Sequence, residues 1–153
     1  MSEMLKPIVL VEDNLNDLEL TMHALTRARL VNEVVTLRDG AEALEYLSCK
    51  GAWQDRPRGN PAVILLDIKL PKLNGLEVLQ YIKQDPELRT VPVVMLTSSR
   101  EEPDLQRSYE LGVNAYVVKP VKFDDFVKAV QDLGIFWAVL NEPPPGSVRH
   151  MRT

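Results

Sequence analysis

Short apolar runs rich in valine, leucine and isoleucine recur along the chain, separated by longer segments of mixed polarity. Five runs stand out, at Ile8–Val11, Val34–Leu37, 62–66, 91–96 and Ala115–Val118. Each is almost wholly apolar rather than alternating, which is typical of a strand that is covered on both faces. The pattern therefore predicts five buried strands.

The segments between these runs carry helix-start signals. In each, a residue that favours the N-cap position stands three residues before an acidic one. The four pairs are Asn14 with Asp17, Asp39 with Glu42, Asn74 with Glu77, and Ser99 with Glu102. Helices between strands supply right-handed crossovers. The alternation therefore predicts an α/β fold, a doubly wound five-stranded parallel sheet of (βα)5 type with helices on both faces.

Two segments fall outside this alternation. The connection 48–61 is rich in Gly, Pro and basic residues and predicts a solvated loop, with a docking loop as the alternative. After Leu140, three consecutive prolines at 143–145 end any helix. We therefore expect one domain at 6–140 and a Pro-rich tail at 141–153.

The last predicted helix carries more apolar surface than one face of a sheet requires. A first apolar group is enough to cover the sheet, and a second group follows it: Ile135, Phe136, Trp137, Val139 and Leu140. A contiguous exposed patch with large aromatic side chains usually marks a contact surface. We expect a homodimer built on this helix. The alternative is that Phe136 and Trp137 fold back onto their own domain.

Composition narrows the class of protein. The 153 residues fit one domain, and 18 Lys and Arg against 22 Asp and Glu give a net charge of −4, which argues against a nucleic-acid partner. No run approaches the roughly 20 apolar residues that cross a bilayer. The single Cys49 excludes an internal disulfide and fits a reducing compartment. We expect a cytoplasmic protein that contacts neither membrane nor nucleic acid.

Polar residues gather where the predicted strands end. Glu12 and Asp13 follow the first strand, Asp67 the third, Thr97 the fourth and Lys119 the fifth. In a doubly wound sheet, the carboxyl ends of the strands form the site. If the strand order is 2-1-3-4-5, the three acids meet and repel one another unless a cation joins them. Mg²⁺, which prefers oxygen ligands, is the cofactor that this set predicts.

This set of side chains suits phosphoryl transfer to a carboxylate. A metal-shielded carboxylate can act as the nucleophile, Lys119 can neutralise a phosphoryl oxygen, and Thr97 can donate a hydrogen bond. Competing classes lack their signatures. The seven glycines are too far apart for a P-loop or a dinucleotide-binding loop. Lys69 stands where an aspartate-dependent phosphohydrolase usually has a second acid, and a flavodoxin would have a Ser/Thr/Gly-rich first loop.

Four stretches at the predicted strand ends form motifs in a fixed order: Val11-Glu12-Asp13-Asn14, Leu66-Asp67-Ile68-Lys69-Leu70-Pro71-Lys72-Leu73-Asn74-Gly75, Pro92-Val93-Val94-Met95-Leu96-Thr97-Ser98 and Tyr116-Val117-Val118-Lys119-Pro120. Together these motifs resemble the receiver domains of two-component response regulators, the family of the chemotaxis receiver. The resemblance covers about residues 6 to 140 and implies a flavodoxin-like fold with strand order 2-1-3-4-5.

The resemblance implies a role for each matching position. Asp67 would be the phosphoryl acceptor, with Thr97 and Lys119 completing the catalytic set by holding the phosphoryl oxygens. The Mg²⁺ ligands would be Asp13, Glu12 through water, Asp67 and the backbone carbonyl of Lys69. Tyr116 would be an aromatic switch coupled to Thr97, with a core aromatic as the alternative. The Lys119–Pro120 peptide bond would be cis.

The resemblance also implies a mode of action. The chain would accept a phosphoryl group from a sensor histidine kinase and signal by conformational change, with no enzymatic activity beyond Mg²⁺-dependent self-phosphorylation and autodephosphorylation. The extended second helix, the Phe136-Trp137 ending and the Pro-rich tail resemble small stand-alone receivers that are paired with phytochrome-type kinases. The alternative is an interaction module of the same fold that works without phosphorylation.

Overall fold

Five parallel strands alternate with five α-helices in the computed structural model, which describes residues 6–28, 32–57, 59–99, 102–113 and 115–134. A short 3-10 helix, Gly51–Trp53, follows the second α-helix. In chain order the elements are β1 (Ile8–Val11), α1 (Leu15–Arg27), β2 (Val34–Leu37), α2 (Gly40–Ser48), β3 (Val63–Asp67), α3 (Gly75–Gln84), β4 (Val93–Thr97), α4 (Pro103–Glu110), β5 (Ala115–Val118) and α5 (Phe123–Asp132).

The strands form one sheet in the order β2-β1-β3-β4-β5. All four neighbouring pairs are parallel, and Ile8 of β1 lies between Val34 of β2 and Val63 of β3. The order reverses at β1, so β1 and β3 are neighbours, and the connections from β1 and β3 leave in opposite directions. The predicted fold class and strand order are confirmed.

The sheet is covered on both faces, as its apolar strands predict. Alternate residues of a strand point to opposite faces, so β1 and β3 contribute to two separate cores. Ile8 and Leu10 pack on the side of α1 and α5, where Phe126 is buried. Val9 and Val11 pack on the other side, against the apolar faces of α2, α3 and α4. The central strands are therefore rigidly held, and so are the residues at their carboxyl ends.

Three of the four predicted helix starts are confirmed. Asn14, Asp39 and Asn74 each accept a hydrogen bond from the backbone N–H three residues later, at 2.9, 2.8 and 2.9 Å. Asn74 and Glu77 form a reciprocal capping box. These short-range bonds satisfy backbone groups that have no partner within the helix.

The predicted start at Ser99 is wrong. Helix α4 begins at Pro103, and Glu102 precedes it without a side-chain capping bond. A residue before proline is disfavoured in the helical region, and Glu102 has ψ near 121°, so the helix does not extend back beyond Pro103. The carbonyl of Ser99 instead accepts the N–H of Glu102 in a turn.

Two strands lie slightly further along the chain than the apolar runs indicated. Strand β3 runs from Val63 and β4 from Val93, and each ends on a polar residue. Asp67 is paired with Leu96, and Thr97 with Val118. The two polar residues therefore belong to the hydrogen-bonded sheet, which holds their backbones in place.

The connection after α2 is largely solvent-exposed among its described residues, as expected, and side-chain contacts also tie it to α2. The guanidinium of Arg56 lies 4.1 Å from the centre of the Tyr46 ring, and its Nε donates to the Tyr46 carbonyl at 2.6 Å. The Trp53 ring packs edge-on against Tyr46, with centroids 5.0 Å apart. The expected continuation of the last helix to Leu140 is wrong, because α5 ends at Asp132 with Leu133 as its C-cap, and Gly134 follows in a left-handed conformation with φ of 72°. Residues 135–140 and the tail at 141–153 lie outside the described residues. Within the described ranges, no helix has the length and apolar character to span a membrane.

Candidate functional site

Three carboxylates meet where β1 and β3 end. Glu12 and Asp13 follow the last residue of β1, and Asp67 is the last residue of the neighbouring β3. One oxygen from each carboxylate lies within 4.8 Å of the others. Glu12 and Asp67 are buried, and Asp13 is the more exposed of the three. The adjacency of β1 and β3 therefore brings together acids that are 54 residues apart in the chain (Asp13 to Asp67).

A single ammonium group neutralises part of this charge. Lys119, directly after β5, donates to Asp17 Oδ2 at 2.9 Å, Asp67 Oδ2 at 3.0 Å and Glu12 Oε1 at 3.1 Å. An ammonium has three protons, so all of them are engaged. Burial lowers the pKa of Lys119, but the hydrogen bond to Asp17 and the charges of Asp67 and Glu12 outweigh it, and the pKa lies above its ordinary value.

The pKa of Glu12 shows that the positive charge of one ammonium does not fully balance the negative charge of the acids. The pKa of Glu12 is raised to about 7, mainly by burial and also by the hydrogen bond and the charge of Asp67, and Lys119 offsets only part of this rise. A crowded set of hard oxygen donors with excess negative charge is the environment that a divalent cation such as Mg²⁺ favours. The residues present therefore fit such an ion.

Backbone groups orient two of the acids. The N–H of Lys69 donates to Asp67 Oδ1 and the N–H of Asn14 donates to Glu12 Oε2, both at 3.2 Å. The Lys69 side chain points elsewhere and lies 3.6 Å from the carboxylate of Glu102. Gly75 approaches this turn so closely that a Cβ there would overlap the carbonyl oxygen of Asp67. The loop after β3 is thus packed tightly around the acid.

An open cavity of about 230 Å³ lies above these groups and is accessible from outside. Its walls come from the loops after β1, β3, β4 and β5. A cavity of this size admits a small anionic group and several waters. The charged and polar residues that line it are Asp13, Asn14, Asp17, Asp67, Lys69, Thr97, Ser98, Glu102 and Lys119.

Thr97 lines the cavity, and Tyr116 lies on the neighbouring strand β5. The buried Thr97 hydroxyl donates to the Ser99 carbonyl at 2.9 Å, so it is engaged within its own loop. The N–H of Lys119 donates to the Thr97 carbonyl at 2.7 Å, which ties β4 to the end of β5. The half-buried Tyr116 ring packs edge-on against Tyr109 of α4, with centroids 6.1 Å apart. The Lys119–Pro120 peptide bond is cis.

Comparison with known proteins decides the family. The family model described as the response regulator receiver domain matches residues 8–131. The response regulator Rcp1 of Synechocystis sp. is 44% identical over 132 residues, which are 86% of this chain and 88% of that protein. The chain belongs to the response regulator receiver domain family. The resemblance inferred from the four motifs is therefore confirmed, and the chain is a phosphoryl-accepting signalling protein of this class.

Solved structures of other receiver domains agree with the fold. The bacteriophytochrome response regulator RtBRR is 68% identical with a TM-score of 0.84, covering 94% of this chain and 87% of its own. A manganese-bound form of Rcp1 and a phosphorylated form of the cyanobacterial phytochrome response regulator RcpA are each 44% identical with a TM-score of 0.71. In both comparisons, 87% of this chain and 94% of the relative are covered. Stand-alone regulators of phytochrome systems are thus among its relatives.

Two residues of this receiver site were not predicted to belong to it. Asp17 was recognised only as a first-turn acid of α1, and Glu102 only as a partner of Ser99. Asp17 lies on the face of α1 that approaches β5, and Glu102 precedes α4 beside the cavity. No local pattern distinguishes them from solvated helix acids. The sequence offered one partial signal, because Asp17 follows Asp13 by four residues and lies in the first turn of the helix that starts there.

Proposed function

We propose that Asp67 is the phosphoryl acceptor of this response regulator. Its carboxylate is the one that lies at the base of the cavity and contacts both Lys119 and the backbone N–H of Lys69. One Asp67 oxygen attacks the phosphorus of the donor, the bond from phosphorus to the leaving group breaks, and the leaving group departs with its electrons. Later attack of water on the acyl phosphate returns the carboxylate and releases phosphate.

A Mg²⁺ ion would be held by Asp13, Asp67 and Glu12, the last through water, with the backbone carbonyl of Lys69. The three carboxylates already meet within 4.8 Å, and the pKa of Glu12 is raised first by burial and then by Asp67, whose negative charge a divalent cation would offset. When bound, the ion supplies shielding of the negative phosphoryl oxygens as they approach an anionic nucleophile. The manganese-bound form of Rcp1 supports this assignment.

Lys119 and Thr97 would hold phosphoryl oxygens once Asp67 is modified. The Lys119 ammonium lies 3.0 Å from Asp67 and is therefore within reach of a group attached there. The Thr97 hydroxyl must leave the Ser99 carbonyl, which couples phosphorylation to the β4–α4 loop. That movement opens space beside β5, and Tyr116 would turn into it from its contact with Tyr109.

The acceptor is tested by incubating the purified chain with acetyl phosphate and Mg²⁺, then measuring the intact mass. The wild type should gain one acid-labile phosphoryl group, and D67N should gain none while its fold is retained. D104N is the matched control, since it removes one carboxylate from the first turn of α4. Label on D67N equal to that on the wild type would move the acceptor elsewhere.

The metal is tested in the same assay. Excess chelator and the variant Asp13→Ala should each suppress phosphoryl uptake. Unchanged uptake in chelator would refute the metal role. Phosphoryl uptake by the wild type also distinguishes this function from that of a phosphorylation-independent interaction module. Such a module would bind its partner equally well in the wild-type and D67N forms.

We propose a sensor histidine kinase of phytochrome type as the phosphoryl donor, in the cytoplasm. The names of two relatives, the bacteriophytochrome response regulator RtBRR and the cyanobacterial phytochrome response regulator RcpA, support this class of partner. Purified phytochrome kinase should label the wild type but not D67N.

We propose no enzymatic activity beyond self-phosphorylation and autodephosphorylation. We also propose no nucleic-acid partner, which agrees with the net charge of −4.

We also propose a receiver domain at 6–140, a Pro-rich tail at 141–153, and a homodimer built on the apolar C-terminal segment. The family match at 8–131 supports the domain, and the aromatic residues Phe136 and Trp137 support the contact. Light scattering should give the mass of a dimer, and the double variant Phe136→Ala with Trp137→Ala should give a monomer. A monomeric wild type, with or without phosphorylation, would refute the dimer.

A further inference from the structure

Lys119 contacts three carboxylates, and these differ in whether they also belong to the acidic cluster. Glu12 and Asp67 belong to the acidic cluster whose oxygens converge within 4.8 Å, whereas Asp17 does not. The Asp17 contact is also the shortest of the three, at 2.9 Å. Asp17 comes from a different element, the first turn of α1, and its side chain is 28% exposed. It is the partner of Lys119 that lies outside the acidic cluster.

A divalent cation and the Lys119 ammonium would compete for the same two acids. Both groups are positive, and both are attracted to Glu12 and Asp67. If these two were the only partners of Lys119, metal binding would leave the lysine without a counter-charge. The long Lys side chain would then leave the site or oppose the metal. A third acid removes this conflict, because it can keep the ammonium when the other two turn to the metal.

We propose that Asp17 is a positioning residue that anchors Lys119, so that Glu12 and Asp67 are free to take a divalent cation while the lysine stays beside the acceptor. This inference rests on the proposed function, since it assumes that a cation binds to the acidic cluster. In D17N, the ammonium pairs more firmly with Glu12 and Asp67 and competes with the metal. Asp17 thereby links α1 to metal affinity without contacting the metal.

The test is a titration of the whole chain with Mn²⁺ alone. Binding is monitored through the electron paramagnetic resonance signal of free Mn²⁺, which falls as the ion binds. We expect D17N to bind Mn²⁺ about fivefold more weakly than the wild type, the effect of losing one partly exposed charged contact. E19Q, which removes an exposed acid from the same helix, should change the affinity by less than about twofold. D17E should retain most of the wild-type affinity.

A double-mutant cycle separates anchoring from simple charge. K119M removes the competing ammonium and should tighten Mn²⁺ binding. In that background, D17N should weaken binding by less than about twofold, because it has no lysine to release. Urea unfolding midpoints of all variants check that the fold is retained, and Asp17→Ser replaces D17N if that variant does not fold.

The outcomes are distinct. A fivefold loss in D17N that persists in full in K119M would show that Asp17 acts on the metal by charge alone, and would overturn the anchoring role. A loss in D17N no greater than that in E19Q would do the same. A wild type that binds no Mn²⁺ would overturn the proposed metal site and this inference together. If the wild type binds Mn²⁺ but the double-mutant cycle shows no coupling between Asp17 and Lys119, the anchoring role is overturned and the proposed metal site is retained.

Discussion

Replacing Lys119 with Met tests whether the ammonium stabilises the fold as well as the site. The Met side chain keeps the apolar stem and removes only the charge and its three donors. Their acceptors differ in burial, with side chains of Glu12, Asp67 and Asp17 that are 0%, 6% and 28% exposed. The two buried acids could each carry a large part of the cost, and of these Asp67 should contribute the most, because Glu12 can take up a proton.

The magnitude follows from these three contacts. A buried, charge-assisted hydrogen bond to Asp67 contributes about 1.5–3 kcal/mol, and the more exposed pair with Asp17 about 0.5 kcal/mol. Glu12 adds little, because its pKa is already about 7 and it takes up a proton when the lysine is lost. We expect the free energy of unfolding in chelator at neutral pH to fall by about 2–3.5 kcal/mol. The melting temperature should fall by about 4–14 °C.

Circular dichroism during thermal and urea unfolding measures both quantities. Adding Mg²⁺ should stabilise K119M more than the wild type, because the ion replaces the missing positive charge without a competitor. The pH dependence has a defined sign. The folded pKa of Glu12 is raised, so its protonated form is favoured in the fold, and this contribution to stability is lost as pH rises through about 7. The deficit of K119M should therefore shrink between about pH 8 and about pH 5.

One result would refute this reasoning. If K119M in chelator is as stable as the wild type or more stable, the cost of burying the ammonium equals or exceeds the value of its contacts. Equal stabilisation of both proteins by Mg²⁺ would show that the lysine and the metal do not share ligands. K128M is the matched control, since Lys128 forms an exposed pair with Asp132 and should contribute less than about 1 kcal/mol.

Three further predictions concern the structure around the site. Gly75→Ala should destabilise the fold by about 1–3 kcal/mol and slow phosphoryl uptake, because the new Cβ would overlap the carbonyl of Asp67; wild-type kinetics and stability would contradict this. Asn74→Ala should cost about 1 kcal/mol in urea unfolding through loss of the α3 cap, while Asn74→Ser, which can still cap, should cost less. Asp39→Ala should also cost about 1 kcal/mol at neutral pH. The backbone hydrogen bond from Glu42 lowers the pKa of Asp39 below 3.8, so this stabilisation is present above that value and is lost as pH falls through the folded pKa. A difference between Asp39→Ala and the wild type that stays constant in acid would exclude this origin.

Features that depend only on residues close together along the chain were predictable from the sequence. The caps at Asn14, Asp39 and Asn74 are formed by bonds that span three residues, so the pattern of side chains contains all the information they need. The apolar runs likewise locate the five strands to within two residues. Ser99 was mispredicted because Pro103 restricts the backbone of Glu102, and this effect outweighs the capping preference.

The candidate site was predictable only as far as the fold was. Glu12, Asp13 and Asp67 could be grouped once the strand order was assumed, because parallel strands end at one edge of the sheet. Asp17 and Glu102 could not be assigned, since their place in the site depends on the angle at which α1 and α4 pack on the sheet. The state of Thr97, which is bonded to Ser99, is likewise a matter of loop conformation.

The sequence by itself determined the succession of strands and helices, the acids and the lysine at the strand ends, and the family to which the motifs belong. The tertiary structure decided which charged side chains contact one another. Lys119 is 102 residues from Asp17 and 107 from Glu12, yet it donates to both and to Asp67 within 3.1 Å. Electrostatic coupling depends on distance and burial, and neither follows from order along the chain until the sheet and the helices have packed.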